Sequence, residues 1–310
     1  MDSLNPIALV TGGAGFIGSH LTEHLVSNGW RVRVLDDLST GHRENLAAVS
    51  GRIEFILGSI TDKAAVVRAV AGVEVVFHLA AKVFVPESFE KPADYERVNV
   101  RGTALLLDAA RKAGVRRVVF SSTCAVYGDT TDLPIAETAP TKPMSPYAAN
   151  KLAAEELGRK AAATGGPAFT ALRYFNVYGP RQDPRSAYSG VITRFSHVVA
   201  NKLPPTIYGD GGQTRDFVFV GDVAIANLLA AGHMSGAHAI YNVGTSVETS
   251  IKDLWRMIAQ VKGAKQEPQF LHPRAGDILR SVADIREIRE KLGFSPTTAI
   301  ADGIRDMLAT

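Results

Sequence analysis

In the octapeptide MSPYAANK, residues 144–151, a tyrosine and a lysine stand four positions apart directly after a proline. Proline is favoured at the first position of a helix and residues four apart share a helix face, so Pro146 predicts a helix start that points Tyr147 and Lys151 the same way. A phenol beside an ammonium can move protons. Free tyrosine has a pKa near 10, so to act as a base near neutral pH its anion must be favoured by about three units, roughly 4 kcal/mol. A neighbouring cation in a site shielded from water can supply that. An exposed helix with two amphipathic side chains has the same spacing, so the surroundings of the pair decide between the two.

Those surroundings begin with IALV (7–10), a short apolar run followed at once by TGGAGFIGSHLTEHLVSNG, whose later part has helical periodicity and stops at Asn28 and Gly29. Strand, glycine turn and helix is the natural parse. RVRVLDD (31–37), RIEFILG (52–58), EVVFHLAA (74–81) and RRVVFSS (116–122) follow, each separated by a plausible helix. Such alternation predicts an α/β fold, a doubly wound Rossmann-type parallel sheet covered on both faces. Beyond about residue 175 the pattern loosens into short elements, which predicts a smaller α/β lobe over the open end of the sheet. The expected division is a dinucleotide-binding domain over 1–175 and a substrate lobe over 176–310, interleaved at the boundary.

Gly12, Gly15 and Gly18, with Gly13 beside them, occupy the first strand-to-helix turn. Glycines there let backbone N–H groups and the helix dipole face a pyrophosphate with no side chain in the way. Asp36 and Asp37 end the second strand about twenty residues on, where an acid accepts hydrogen bonds from an adenosine ribose and repels a 2′-phosphate. The reading is NAD, with Asp36 as the ribose ligand; Arg33 and Arg43 keep NADP open.

Composition excludes several classes. Apolar residues are 46% and charged residues 21% of the 310, and 34 basic against 31 acidic residues leave a net charge of +3 with no long basic block. No nucleic-acid stripe is visible. RKAGVRR (111–117), the densest basic patch, sits where a helix ends and reads as a solvated face. No apolar run approaches the ~18 residues that cross a bilayer, and MDSLNPIALV lacks the features of a signal peptide, so a cytoplasmic protein is expected. The single cysteine, Cys124, leaves no internal disulfide and no cysteine metal cluster; it reads as a small buried hydrophobe, and no metal is expected.

TGGAGFIGSHL, HLAA (78–81), NVRGT (99–103), SST followed by AVYG (121–128) and YAANK together resemble the extended short-chain dehydrogenase/reductase family over nearly the whole chain. RYFNVYGPRQDP (173–184), GDGGQTRDFVFV (209–220) and PRAGDILRSVAD (273–284) look like its nucleotide-sugar branch, the UDP-hexose and UDP-N-acetylhexosamine 4-epimerases. The resemblance implies oxidation and re-reduction at one sugar carbon. Tyr147 takes the proton of the 4-hydroxyl, its anion favoured by Lys151 and by the positive nicotinamide; Lys151 also binds the nicotinamide ribose; Thr123 holds or relays the hydroxyl proton. It further implies an NAD cradle of Gly12, Gly15, Phe16, Ile17 and Gly18, then Asp36, Asp37, Ser39 and Gly41, Ser59 and Ile60, Leu79, Ala80, Ala81 and Lys82, with Asn99 and Tyr174 beside the catalytic pair. Asn99 reads as a structural residue at that edge, since a buried amide usually finds backbone. On the substrate side, Arg215 and Arg274 match diphosphate ligands, Asn176 a sugar-phosphate ligand, Tyr208 a residue flanking the base, and Asp277 one reaching the nucleoside ribose. Guanidinium suits phosphate through its fork of donors, although each arginine could equally pair with Asp216 or Asp277.

Departures from the family pattern sharpen the expectation. Related dehydratases place an acidic pair after the SST-type hydroxyl; here those positions are Cys124 and Ala125, which disfavours water elimination. Ser59 replaces a usual aspartate toward the adenine amine, which predicts weaker cofactor affinity. Ser281 falls where glucose-only relatives carry a tyrosine, leaving room for a 2-acetamido group. The expected activity is an NAD-dependent 4-epimerase of UDP-GlcNAc/UDP-GalNAc, of UDP-Glc/UDP-Gal, or of both. The alternatives are a nucleotide-sugar 4-keto reductase and a UDP-uronic acid 4-epimerase. Helices over 105–112 and 147–163 are expected to pair with a second copy, as relatives form homodimers through a four-helix interface.

Overall fold

The computed structural model describes residues 6–182, 190–233, 236–273 and 278–309. Five strands fall where the alternation predicts them: β1 (Ile7–Thr11), β2 (Arg31–Asp36), β3 (Ile53–Leu57), β4 (Val75–His78) and β5 (Arg117–Thr123). They are joined by β6 (Ala168–Tyr174), and the seventh strand of the sheet is the eleventh in chain order. The strands between are β7 (Asn176–Tyr178), β8 (Thr206–Tyr208), β9 (Thr214–Arg215) and β10 (Phe217–Phe219); β11 is His238–Val243. The sheet runs β11-β6-β5-β4-β1-β2-β3, parallel throughout. The second half of the chain therefore re-enters the first lobe, and the lobes interleave.

Helices α1 (Phe16–Ser27), α2 (Lys63–Val70), α3 (Val85–Glu90), α4 (Pro92–Glu96), α5 (Thr103–Lys112) and α6 (Pro146–Ala163) precede β6. After β7 come α7 (Val191–Ala200), α8 (Val220–Gly232), α9 (Ile251–Lys262), α10 (Arg286–Leu292) and α11 (Ile300–Ala309). One sheet face carries a core of Val10, Val34, Phe77 and Val119 with Leu21 and Leu25 of α1 and Ala226 and Ala230 of α8. The other carries Leu9, Val76, Val118 and Phe169 with Val66 of α2, Leu106 of α5 and Ala154 of α6. Burial on both faces is why these strands read as apolar runs rather than as alternation. A third core, Phe195, Trp255, Ile258, Phe217 and Ile304, belongs to the smaller lobe. There β7 pairs with β10, β9 with β12 (Thr249–Ser250), and β8 with β13 (Gln269–Leu271).

Helix α6 begins as its sequence predicts. Ser145 caps it by accepting the Ala148 N–H at 3.2 Å, and Pro146 fills the first position. Its buried face carries Tyr147, Lys151, Ala154, Glu155, Gly158 and Ala162. Gly158 is required there, because the Phe169 ring occupies the space a Cβ would take. Among the described residues no helix is long and apolar enough to cross a membrane.

Candidate active site

The loops that leave the C-terminal ends of β1, β2, β4 and β5 meet where the strand order turns outward on either side of β1, the place where open parallel sheets bind ligands. Thr123 is the last residue of β5, and Tyr147 enters from the first turn of α6. The two side chains lie close enough for the Thr123 hydroxyl to lower the Tyr147 phenol, and Thr123 Oγ1 accepts the Ala125 N–H at 3.2 Å. One turn along α6, Lys151 Nζ donates to the Ser121 carbonyl at 2.7 Å and lies 4.8 Å from the centre of the Phe120 ring. Tyr147 is 9% and Lys151 3% exposed. The exposed-helix reading of this pair is thereby removed.

Electrostatics depart from the sequence expectation in one respect. Burial pushes the Tyr147 phenol up to about 12, opposed by the Thr123 hydroxyl. Burial also brings Lys151 down to about 7, with Glu155 pulling it back up. The chain's own groups therefore favour the neutral phenol, with desolvation the largest cause.

The glycine turn fits a pyrophosphate. Gly12 has φ +71°, and a Cβ on it would lie 2.7 Å from the Ala80 nitrogen; a Cβ on Gly41 would lie 2.8 Å from the Ala14 carbonyl carbon. A Cβ on Gly18 would collide with the Gly12 carbonyl oxygen. Gly15 caps α1 without any side-chain acceptor, so the first N–H groups of the helix, at Phe16 and Ile17, are left for an anion. Asp36 ends β2 buried, accepting from Ala14 N at 2.9 Å and Leu38 N at 2.8 Å. Each of its oxygens keeps a lone pair for a ribose, and burial holds its carboxyl above the usual range. Asp37 accepts the Ser39 N–H. Arg33, which kept a 2′-phosphate open, is engaged by Glu54 and the Ala69 and Ala71 carbonyls, and Arg43 covers the Phe55 ring.

Ser59 and Ile60 follow β3; Ser59 Oγ pairs with Thr61 Oγ1, and Ile60 packs on Gly102. Leu79, Ala80, Ala81 and Lys82 form the loop after β4. Asn99, on a π-wound turn over Arg97–Gly102, accepts the Lys82 N–H and donates to the Lys82 carbonyl, both at 2.8 Å, so its amide clamps that loop. His78 closes the floor between Thr11 and Thr103, its ring held near pKa 3 by burial and by the Lys151 charge. Tyr174 ends β6 with its hydroxyl engaged by Asn227, leaving only its ring and backbone for a ligand.

Across the cleft, Arg215 on β9, Asp216 and Ser281 lie close enough to Cys124 to act on its thiol. Desolvation pushes the thiol up to about 12, although Cys124 is half-buried rather than the fully buried hydrophobe expected of it. The ion pair of Arg215 with Asp216 does not form. Asp216 is instead buried, accepting from the Thr245, Ser246 and Ala283 N–H groups, which anchors the segment that follows Ser281. Asn176 opens β7, and its side-chain amide makes no hydrogen bond with another described residue; Tyr208 ends β8, half-buried. Arg274 and Asp277 lie outside the described residues. Sequence reasoning missed Glu155, Arg173 and Ser122, which join beneath the catalytic pair. The available signal was Glu155 itself, eight residues from Tyr147 and four from Lys151, hence on the same face.

Residues 8–244 match the NAD dependent epimerase/dehydratase family. A UDP-glucose 4-epimerase of Mycolicibacterium smegmatis is 44% identical over 300 residues, covering 96% of this chain and 95% of the relative. Among solved structures, a UDP-N-acetylglucosamine 4-epimerase from Methanobrevibacter ruminantium M1, in complex with UDP-N-acetylmuramic acid, aligns with TM-score 0.94 at 35% identity, covering 98% of this chain and 97% of the other. A Thermus thermophilus UDP-glucose 4-epimerase complexed with NAD aligns with TM-score 0.89 at 39% identity, covering 98% of both chains. With a glycine turn shaped for a pyrophosphate and a hydroxyl, phenol and ammonium gathered at the end of β5, the chain belongs to the NAD dependent epimerase/dehydratase family.

Proposed function

We propose that this protein is an NAD-dependent 4-epimerase of UDP-sugars that works through a transient 4-keto sugar, and that it accepts 2-acetamido as well as 2-hydroxy hexoses. The observation that carries the reading is the Thr123–Tyr147 contact beside Lys151, a proton-handling pair buried at the rim of the dinucleotide cradle. The chemistry that NAD supplies when bound is reversible two-electron oxidation at carbon 4 of the sugar. Tyr147 removes the 4-hydroxyl proton, with Thr123 holding that hydroxyl in line. Lys151, fixed on the Ser121 carbonyl, orients the nicotinamide ribose and contributes its charge when protonated. The ketone is flat, so a sugar that turns over in the cleft presents its other face for re-reduction, and Tyr147 returns its proton to the oxygen on the inverted carbon. Arg215, Asn176 and Tyr208, with Arg274 and Asp277, hold the UDP end during that turn.

Ser281 supports the wider sugar range, because its small buried side chain borders the cleft beside Cys124. Cys124 and Ala125 offer no acid for eliminating water. The same reading includes a cytoplasmic homodimer through α5 and α6. The test is incubation of the purified protein with UDP-glucose and with UDP-GlcNAc, followed by product stereochemistry. Inversion at carbon 4 without added NAD is expected for both; no inversion of either overturns the function, and inversion of UDP-glucose alone overturns the acetamido claim.

A further inference from the structure

Glu155 lies two turns beyond Tyr147 and one beyond Lys151 on the buried face of α6. Its carboxylate and the Arg173 guanidinium are each 4% exposed and meet through two bonds, Nε to Oε1 at 3.0 Å and Nη2 to Oε2 at 2.6 Å. Ser122 Oγ donates to the same carboxylate. Arg173 faces Ser122 across the β5–β6 register, stacks 4.8 Å from the Tyr127 ring centre, and donates to the Glu137 carbonyl. Two consecutive residues of β5 are thus hydrogen-bonded to one helix face, Ser121 to Lys151 and Ser122 to Glu155, and the next, Thr123, lies close enough to Tyr147 to act on its phenol.

A buried ion pair is weak evidence for stability, since desolvating both charges offsets their attraction. The position of this one suggests another role. A bare carboxylate one turn from Lys151 would draw the ammonium away from Ser121 and would disfavour a phenolate at Tyr147. We propose that Arg173 and Glu155 are positioning residues that form a neutral buried pair, and that the neutrality of this pair sets the pH range over which Tyr147 ionises. The inference rests on the reading of Tyr147 as the base. The titratable and charged groups facing the site are Lys151 on α6, His78 on β4, Tyr174 on β6, His238 on β11, Cys124 and Tyr127 on the turn after β5, Glu137 in the loop before α6, and Arg215 and Asp216 against Cys124. None of these residues is itself replaced below, but Glu155 raises Lys151, Arg173 lowers Tyr127, and both act on His238, so the comparison with the Tyr147→Phe version of each variant is what isolates the Tyr147 transition.

Eight residues of helix separate Glu155 from Tyr147 by about 12 Å along the axis. An uncompensated unit charge at that distance, at an effective dielectric of about 20, moves a pKa by about one unit. The experiment is a phenolate titration by ultraviolet difference spectroscopy on NAD-saturated protein, each variant blanked against its own Tyr147→Phe version, with thermal melts to verify folding. Arg173→Met is expected to raise the Tyr147 transition by about one pH unit and Glu155→Gln to lower it by about one. The double variant, Glu155→Gln with Arg173→Met, should return to within half a unit of wild type. Unshifted singles overturn the proposal, as do singles that shift in the same direction and a double variant that stays displaced. If one single variant does not fold, the other against the double decides; if neither folds while the double folds with the wild-type transition, the pair is structural and the proposal fails. The titration needs no sugar turnover, so a wild-type protein that fails to epimerise would remove the function and leave the charge effect to be read.

Discussion

Tyr147→Phe removes one oxygen from the centre of the site and nothing else. Phenylalanine keeps the ring that fills the buried start of α6. The hydroxyl's neighbour, Thr123 Oγ1, retains the Ala125 N–H, so no group is left orphaned. Stability should change by no more than about 1 kcal/mol, the net worth of one hydrogen bond. Turnover should fall by roughly 10²- to 10⁴-fold, the usual contribution of a positioned acid–base group, or about 3–5 kcal/mol of barrier. The assay is inversion at carbon 4 in UDP-glucose under saturating substrate, with bound NAD and UDP-sugar affinity measured on the same preparation; both should be retained. Because burial raises the phenol, the wild-type rate should still be climbing with pH above the neutral range as Tyr147 ionises, and the variant should lose that slope. A loss under tenfold, or a matching loss of sugar affinity, would refute the assignment of Tyr147 as the base.

Gly12→Ala forces a Cβ to 2.7 Å from the Ala80 nitrogen at φ +71°, a conformation costing about 1–2 kcal/mol for an L-residue before the clash is counted. The thermal shift produced by NAD should shrink or vanish, and an unchanged shift would count against the cradle. Lys151→Met should abolish turnover yet raise the melting temperature at pH 7. The folded pKa of Lys151, about 7, lies below its unfolded value of 10.5, so wild type carries the full penalty below pH 7 and sheds it as pH rises toward 10.5. The gap between the two melting curves should therefore narrow by pH 10, and a constant gap contradicts the shift. Ser281→Tyr places an aromatic beside Cys124 and should cut UDP-GlcNAc turnover at least tenfold while UDP-glucose turnover stays within a few-fold; parallel losses would argue against Ser281 as the acetamido determinant.

Some of this protein is fixed by local sequence. The Ser145–Pro146 start of α6, the glycine turn after β1 and the apolar runs of β1 to β5 follow from capping, backbone sterics and burial on two faces, each a property of neighbouring residues. The seventh strand was not legible, because HAIYNV looks like any short apolar run until β6 offers it an edge. Local spacing placed Tyr147 and Lys151 on one face and implied a cation holding a phenolate. Tertiary burial sets what that must overcome: enclosed by β5 and the turn after it, both groups shift toward their neutral forms. It also sent Asp216 to backbone amides instead of Arg215 and brought Arg173 to Glu155 across 18 residues of chain. Periodicity and turn chemistry act over a few residues and can be read in order, whereas desolvation and charge pairing depend on which surfaces meet, and that is decided only when the sheet closes against its helices.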